Sequence, residues 1–187
     1  MKYDIEFTRP IADACVWIGE TPQIEIDHEI NFEIRRIDAQ VRLRNLRAAA
    51  VEISIPSGGL IRTGLLGGRF EPNDSGLFIA RLYPVATSDQ PISWSIAAKI
   101  DKMIPGLIEE LQRAVTEGIS AIAAENTLGS GDLTIDRAAH GIYGSSFNTF
   151  LQLTTALVAL LATEASSFSE IKELLIPCIF NAPKNVF

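Results

Sequence analysis

The residues best placed to do chemistry lie in Gly141-Ile142-Tyr143-Gly144-Ser145-Ser146, which follows an alternating segment and opens into the apolar run from Phe147 to Ala162. The first backbone N–H groups of a helix have no internal partner and carry its positive dipole end, so a glycine-serine turn feeding a helix is a ready anion site. The same residues also suit an ordinary helix start, with Ser145 or Ser146 as N-cap and no ligand. His140 stands just before the turn. Asp132, Asp136 and His140 recur at a spacing of four, which on a strand puts all three on one face, about 13 Å between neighbours. That is too far for direct proton transfer. A relay of Ser145 and His140 with Asp136 or Asp132 behind the histidine also lacks the Gly-x-Ser-x-Gly elbow, so no catalytic residue is expected and the reading leans toward a non-enzyme without deciding it.

Two further groups of residues invite a chemical reading. Asp27, His28 and Glu29 are three metal-donor types in a row, but adjacent strand residues face opposite ways and cannot readily grip one ion. No metal and no cofactor are expected. Arg62 and Arg69 flank the glycines of Leu60 to Phe70. With Tyr143, Ser145 and Ser146 they define a candidate partner-binding end of the molecule that carries both glycine-rich loops. The net charge of -7 disfavours general binding to nucleic acid or to an anionic membrane, since both need a positive surface.

These residues must be positioned by strands and helices, and the hydropathy pattern supplies both. Ile24, Ile26, Ile30, Phe32 and Ile34 alternate with acidic residues, and Gln40 to Arg44 alternate with arginines, which predicts an antiparallel hairpin with cross-strand charge pairs. Val51 to Ile55 is a further strand, stopped at Pro56-Ser57-Gly58-Gly59. The glycine-rich stretch after it reads as a flexible protrusion, followed by a strand from Leu77 to Val85. A helix is expected from Ile104-Pro105, with proline in its first turn and Leu107, Ile108, Leu111, Val115, Ile119 and Ile122 at helical spacing. Asp132 to His140 is a strand, Ser146 to Ala165 a second helix, and Ser169 to Leu175 a third that ends before Pro177. At 187 residues the chain fits one domain, with N-terminal strands over 1–55, a core over 56–165 and a C-terminal helix and tail over 166–187. No secretory signal or membrane span is evident. Cys15 and Cys178, each among apolar residues, read as reduced thiols of a cytoplasmic protein.

The order of elements from Gly67 onward resembles domain IV of elongation factor G and related translational GTPases. The resemblance rests on Gly76 to Val85, on Lys99-Ile100 with Met103-Ile104-Pro105, on Ala114 to Ile119, and on Leu133 to Asp136 followed by the Gly141 to Ser146 turn. It implies an α+β fold in which a mixed or antiparallel sheet is covered by two helices with a split or left-handed βαβ crossover, here with an additional N-terminal β-hairpin. The GTPase phosphate loop is missing from the sequence, so no GTP is expected. Gly144-Ser145-Ser146 is also similar to part of the phosphate loop of the galactokinase, homoserine kinase and mevalonate kinase superfamily. Together these readings predict a binding or assembly module for a protein or ribonucleoprotein partner. The alternative is a phosphate or anion binder, or an enzyme, built on the Gly144-Ser145-Ser146 helix start. The apolar segment Leu174 to Phe180 and the closing Val186-Phe187 must either fold back on the core or be covered by a second subunit.

Overall fold

The computed structural model describes residues 1–8, 11–24, 32–37, 39–57, 59–83, 90–165 and 167–180. The strands are β1 (Lys2–Thr8), β2 (Ile11–Ile18), β3 (Phe32–Ile37), β4 (Arg47–Ser57), β5 (Leu60–Pro72), β6 (Leu77–Leu82), β7 (Met103–Pro105) and β8 (Gly131–Gly141). The helices are α1 (Glu109–Glu125), α2 (Phe147–Ala162) and α3 (Phe168–Phe180). The strands form one mixed sheet in the order β1-β2-β4-β5-β8-β6-β3, with β7 paired to the C-terminal end of β8. Every pairing is antiparallel except β6 with β8. The chain passes from β6 through α1 to β8, and these two parallel strands are immediate neighbours, so the crossover is not split.

Side-chain alternation sorts the sheet into two unequal faces. Val16, Val51, Ile53, Leu66, Phe70, Leu133 and Ile135 face the helices and meet Leu111, Val115, Phe150, Leu153 and Leu157 in the main core. Burying one such side chain contributes about 1.5–3 kcal/mol. Cys15, Trp17, Ala50, Leu65 and Ala139 face the other way, into a smaller core closed by Ile92 and Ala97 of the irregular segment 90–102. The remainder of that second face is polar. There Arg81 bridges Glu33 and Asp132, while Asp136 pairs with Arg69 and Arg137.

Several elements differ from the sequence reading for identifiable reasons. The N-terminal hairpin is β1 with β2. Of the acidic comb, only Phe32, Glu33 and Ile34 lie in a described strand, β3, which pairs with β6 rather than with Gln40 to Arg44, a stretch that is not strand; residues 25–31 of the comb, including His28, lie outside the described residues. The glycine-rich stretch is no protrusion. It is β5, paired on both sides near the middle of the sheet, and its glycines are sites of close approach. A side chain at Gly64 would run into Phe150 and Leu153 of α2, and one at Gly67 into Ala50 and Arg137.

Pro105 belongs to the short strand β7, and α1 begins only after Ile108. The strand tolerates the proline because the next N–H, that of Gly106, takes the Ala138 carbonyl. α3 runs through Pro177 to Phe180. Ile171, Leu175 and Ile179 are buried against the core, and Phe180 meets Phe7 edge to face. The segment Leu174 to Phe180 thus folds back, while Val186-Phe187 lies outside the described residues.

Candidate functional site

The Gly141 to Ser146 turn follows β8 and delivers the chain into α2, as its composition suggests, and Ser146 is the N-cap. Its Oγ accepts from the Thr149 N–H at 3.3 Å and shares a hydrogen bond with the Thr149 hydroxyl at 2.9 Å. Ser145 is used differently. Its Oγ accepts from Gly141 N–H at 2.8 Å and donates to the Thr63 carbonyl of β5 at 2.7 Å. The Gly144 carbonyl then accepts from Thr63 N–H at 3.0 Å, which ties the turn to β5.

An anion does occupy this turn, and it belongs to the chain itself. The Asp101 carboxylate, buried at the end of segment 90–102, accepts four hydrogen bonds. Oδ2 takes the Gly144 N–H and the Thr63 hydroxyl, each at 2.8 Å. Oδ1 takes its neighbour's N–H at Lys102 (2.8 Å) and the Tyr143 N–H (3.2 Å). Gly141 and Gly144 make room for the carboxylate. A side chain at Gly141 would overlap Asp101 Oδ2 and Thr63 Oγ1, and one at Gly144 would crowd Thr63 and the Ile61 carbonyl. The backbone donors of Tyr143 and Gly144, which the sequence offers to a phosphate, are therefore spent internally. Ile142 N–H reaches the Lys102 carbonyl at 3.2 Å, so the two turns are joined at two successive residues.

The other predicted residues do not converge on this turn. Asp136 is the extra residue of a bulge, where the pairing with β5 shifts between Gly67 and Gly68. One inserted residue inverts the alternation beyond it. Asp132 therefore lies on the polar face with Arg81 and Asn73, whereas His140 lies on the helix side, opposite Gly64. The expectation that these three share a face fails for that reason. His140 is buried and its Nδ1 meets the Gly106 carbonyl at 2.8 Å, which fixes the link from β7 to α1.

Arg62 and Arg69 are likewise separated, by seven residues along β5 (about 23 Å) and by the sheet itself. Arg62 reaches up to Gln152 of α2 at 2.7 Å; burial depresses its pKa, and its buried Nε has no partner. Arg69 lies on the polar face with Asp136 and Glu71.

Sequence reasoning missed a second buried acid. Glu52 of β4 stands in a cross-strand row with Asp4 and Cys15, beneath segment 90–102, and is fully buried. One carboxyl oxygen takes the Ser95 hydroxyl, and the other has no hydrogen-bond partner. Desolvation raises its pKa, which the bond from Ser95, the nearby Ile96 and Ala97 backbone N–H groups and Lys2 only partly oppose. Burial also pushes up the Cys15 thiol, so this cysteine is a poor nucleophile.

Among the described residues, no group of three or more histidine, cysteine, aspartate or glutamate side chains is placed to hold a metal ion. No described helix is long and apolar enough to cross a membrane. An open groove of about 770 Å³ lies between Phe32 and the Glu109 to Thr116 face of α1, and contains none of the predicted site residues. Three large apolar side chains stay outside at the Asp101 turn, beside the exposed Lys99 and Lys102: Tyr143 is 81 % exposed, Ile142 51 % and Ile100 50 %. No family model, curated protein or solved structure matches the chain.

Proposed function

We propose that the chain is a non-enzymatic binding module that recognises a protein partner through the tip formed by Ile100, Ile142 and Tyr143. One observation carries this reading. Three large apolar side chains stay exposed on two turns that a buried carboxylate fastens to each other and to the sheet. Loop ordering is a main cost of association, and here it is met within the fold. Tyrosine adds a large contact area with only two side-chain torsions to restrain. Of the protein and ribonucleoprotein partners expected from the sequence, a protein surface suits a tip that exposes three large apolar side chains. The free cysteines, one of them fully buried, support a cytoplasmic setting. The anion-binding alternative is weakened at the turn itself, where the Tyr143 and Gly144 N–H groups are already bonded to Asp101.

The test is photo-crosslinking in cells, with p-benzoylphenylalanine at position 143 and, as control, at Glu117 on the exposed side of α1. A discrete protein adduct at 143 that is absent at 117, followed by binding of that purified protein that Tyr143→Ala weakens, is the expected result. Identical adduct patterns at both positions, or none at 143, end the proposal.

A further inference from the structure

The charges around the tip narrow the class of partner, on the premise that the tip is the recognition surface. Most cations of the described structure are engaged. Lys2, Arg35, Arg47, Arg69, Arg81, Arg113 and Arg137 each pair with a carboxylate. Arg36, Arg62 and Lys172 donate to Ala123, Gln152 and Glu6. Four described cations, Arg42, Arg44, Lys99 and Lys102, are exposed and, among the described residues, paired with no carboxylate; Arg42 lies beside Gly129, at the other end of β8 from the tip, and Lys99 and Lys102 are the two at the tip. They flank Ile100 and the buried Asp101, and the carbonyl of Lys102 is bonded to Ile142 N–H. Asp101, the one acid between them, is turned inward with its oxygens filled. A chain of net charge -7 thus presents two unpaired ammonium groups beside its exposed apolar tip.

We infer that the tip receives a short acidic and apolar protein segment, whose carboxylates meet Lys99 and Lys102 while its apolar side chains cover Ile100, Ile142 and Tyr143. Charge complementarity selects this partner over two others. Binding to nucleic acid grows with the number of phosphates neutralised, and two lysines on an acidic body neutralise few. An anionic membrane gains about 1 kcal/mol per lysine near its surface, while the remaining negative charge is repelled. A peptide segment concentrates a few carboxylates at the tip and leaves the rest of the acidic surface in water. Charges at the rim of such a contact act chiefly on association rate and salt dependence.

The experiment uses the full chain with p-benzoylphenylalanine at position 143. The crosslinked segment is sequenced and made as a synthetic peptide, and its binding is compared with that of a 12-nucleotide oligouridine and of vesicles of 70 % phosphatidylcholine and 30 % phosphatidylserine. The expected segment carries net negative charge and apolar residues. Its binding should fall at least about tenfold in the Lys99→Glu, Lys102→Glu double variant and weaken with added salt. Lys99→Arg, Lys102→Arg should restore it. A neutral or basic segment, or binding indifferent to the charge reversal, overturns the inference while leaving the protein-binding reading intact. Tip binding to oligouridine or vesicles in preference to peptide overturns it as well. Absence of any adduct at 143 removes the underlying reading instead.

Discussion

Asp101 and Glu52 are two buried carboxyl groups on the same side of the sheet, both in contact with segment 90–102, and they have opposite surroundings. Asp101 is met by four donors, three of them backbone N–H groups. Glu52 has the Ser95 hydroxyl on one oxygen and no hydrogen-bond partner on the other, with the Ile96 and Ala97 N–H groups nearby. Both are buried, and the difference lies chiefly in hydrogen bonding. A buried acceptor left unmatched carries its full desolvation penalty, whereas a matched one organises whatever donates to it. Asp101 accordingly acts as a rivet for the tip, and Glu52 is a weak point under the same segment.

Removing the rivet should have the largest effect. Asp101→Ala orphans the Thr63 hydroxyl and three N–H groups, and unfolding in urea should show a loss of about 3 kcal/mol, with Tyr143 amide exchange accelerated. An unchanged midpoint would mean that water replaces the carboxylate at no cost. Gly141→Ala probes the same contact from the other side, since the added methyl overlaps Asp101 Oδ2 and Thr63 Oγ1; a loss of about 2 kcal/mol is expected from overpacking.

For Glu52 the prediction is one of pH. Its folded-state pKa is raised above the ordinary 4.5, so the protonated form is the one the fold prefers. Stability is fully present below the ordinary value and declines as pH rises toward and through the raised one. The slope reaches at most about 1.4 kcal/mol per pH unit. Lys2 and Asp4 from β1, Cys15 from β2 and Ser95 above are the groups that face it. Glu52→Gln should remove that slope, and parallel stability profiles for variant and wild type between pH 4 and 8 would discard the assignment. The smallest effect is expected from Ser146→Ala, which deletes the α2 cap for about 1 kcal/mol and leaves both carboxyl sites as they are.

How much of this was legible in the sequence depends on whether the signal is local. The β8, turn and α2 succession is encoded in consecutive residues, and the strand, the glycine-serine turn and a serine cap at 145 or 146 are all legible there; the structure puts the cap at Ser146. Pairing partners are not local. The end of the acidic comb, Phe32 to Ile34, falls in β3 but carries no mark of its neighbour, and the arginines of 40–44 offered a false one. The glycines of β5 read as looseness because composition shows the missing side chain and not the Phe150 or Ala50 that fills its place. Asp101 carried no signal. A single aspartate in Lys-Ile-Asp-Lys looks like surface, and three of its four donors lie 38 to 43 residues away. The bulge at Asp136 was hidden likewise, and with it the separation of His140 from Asp132.

The position of β8 has a consequence for synthesis. It lies between β5 and β6, which precede it in the chain and are joined to each other by a short turn. Until Gly131 to Gly141 has emerged from the ribosome, β5 lacks its second partner and β6 its parallel one, so each presents an open edge. Such edges recruit strands from other molecules. A nascent chain that has completed α1 is therefore at its most exposed, and arrival of the last strand closes both edges in one step.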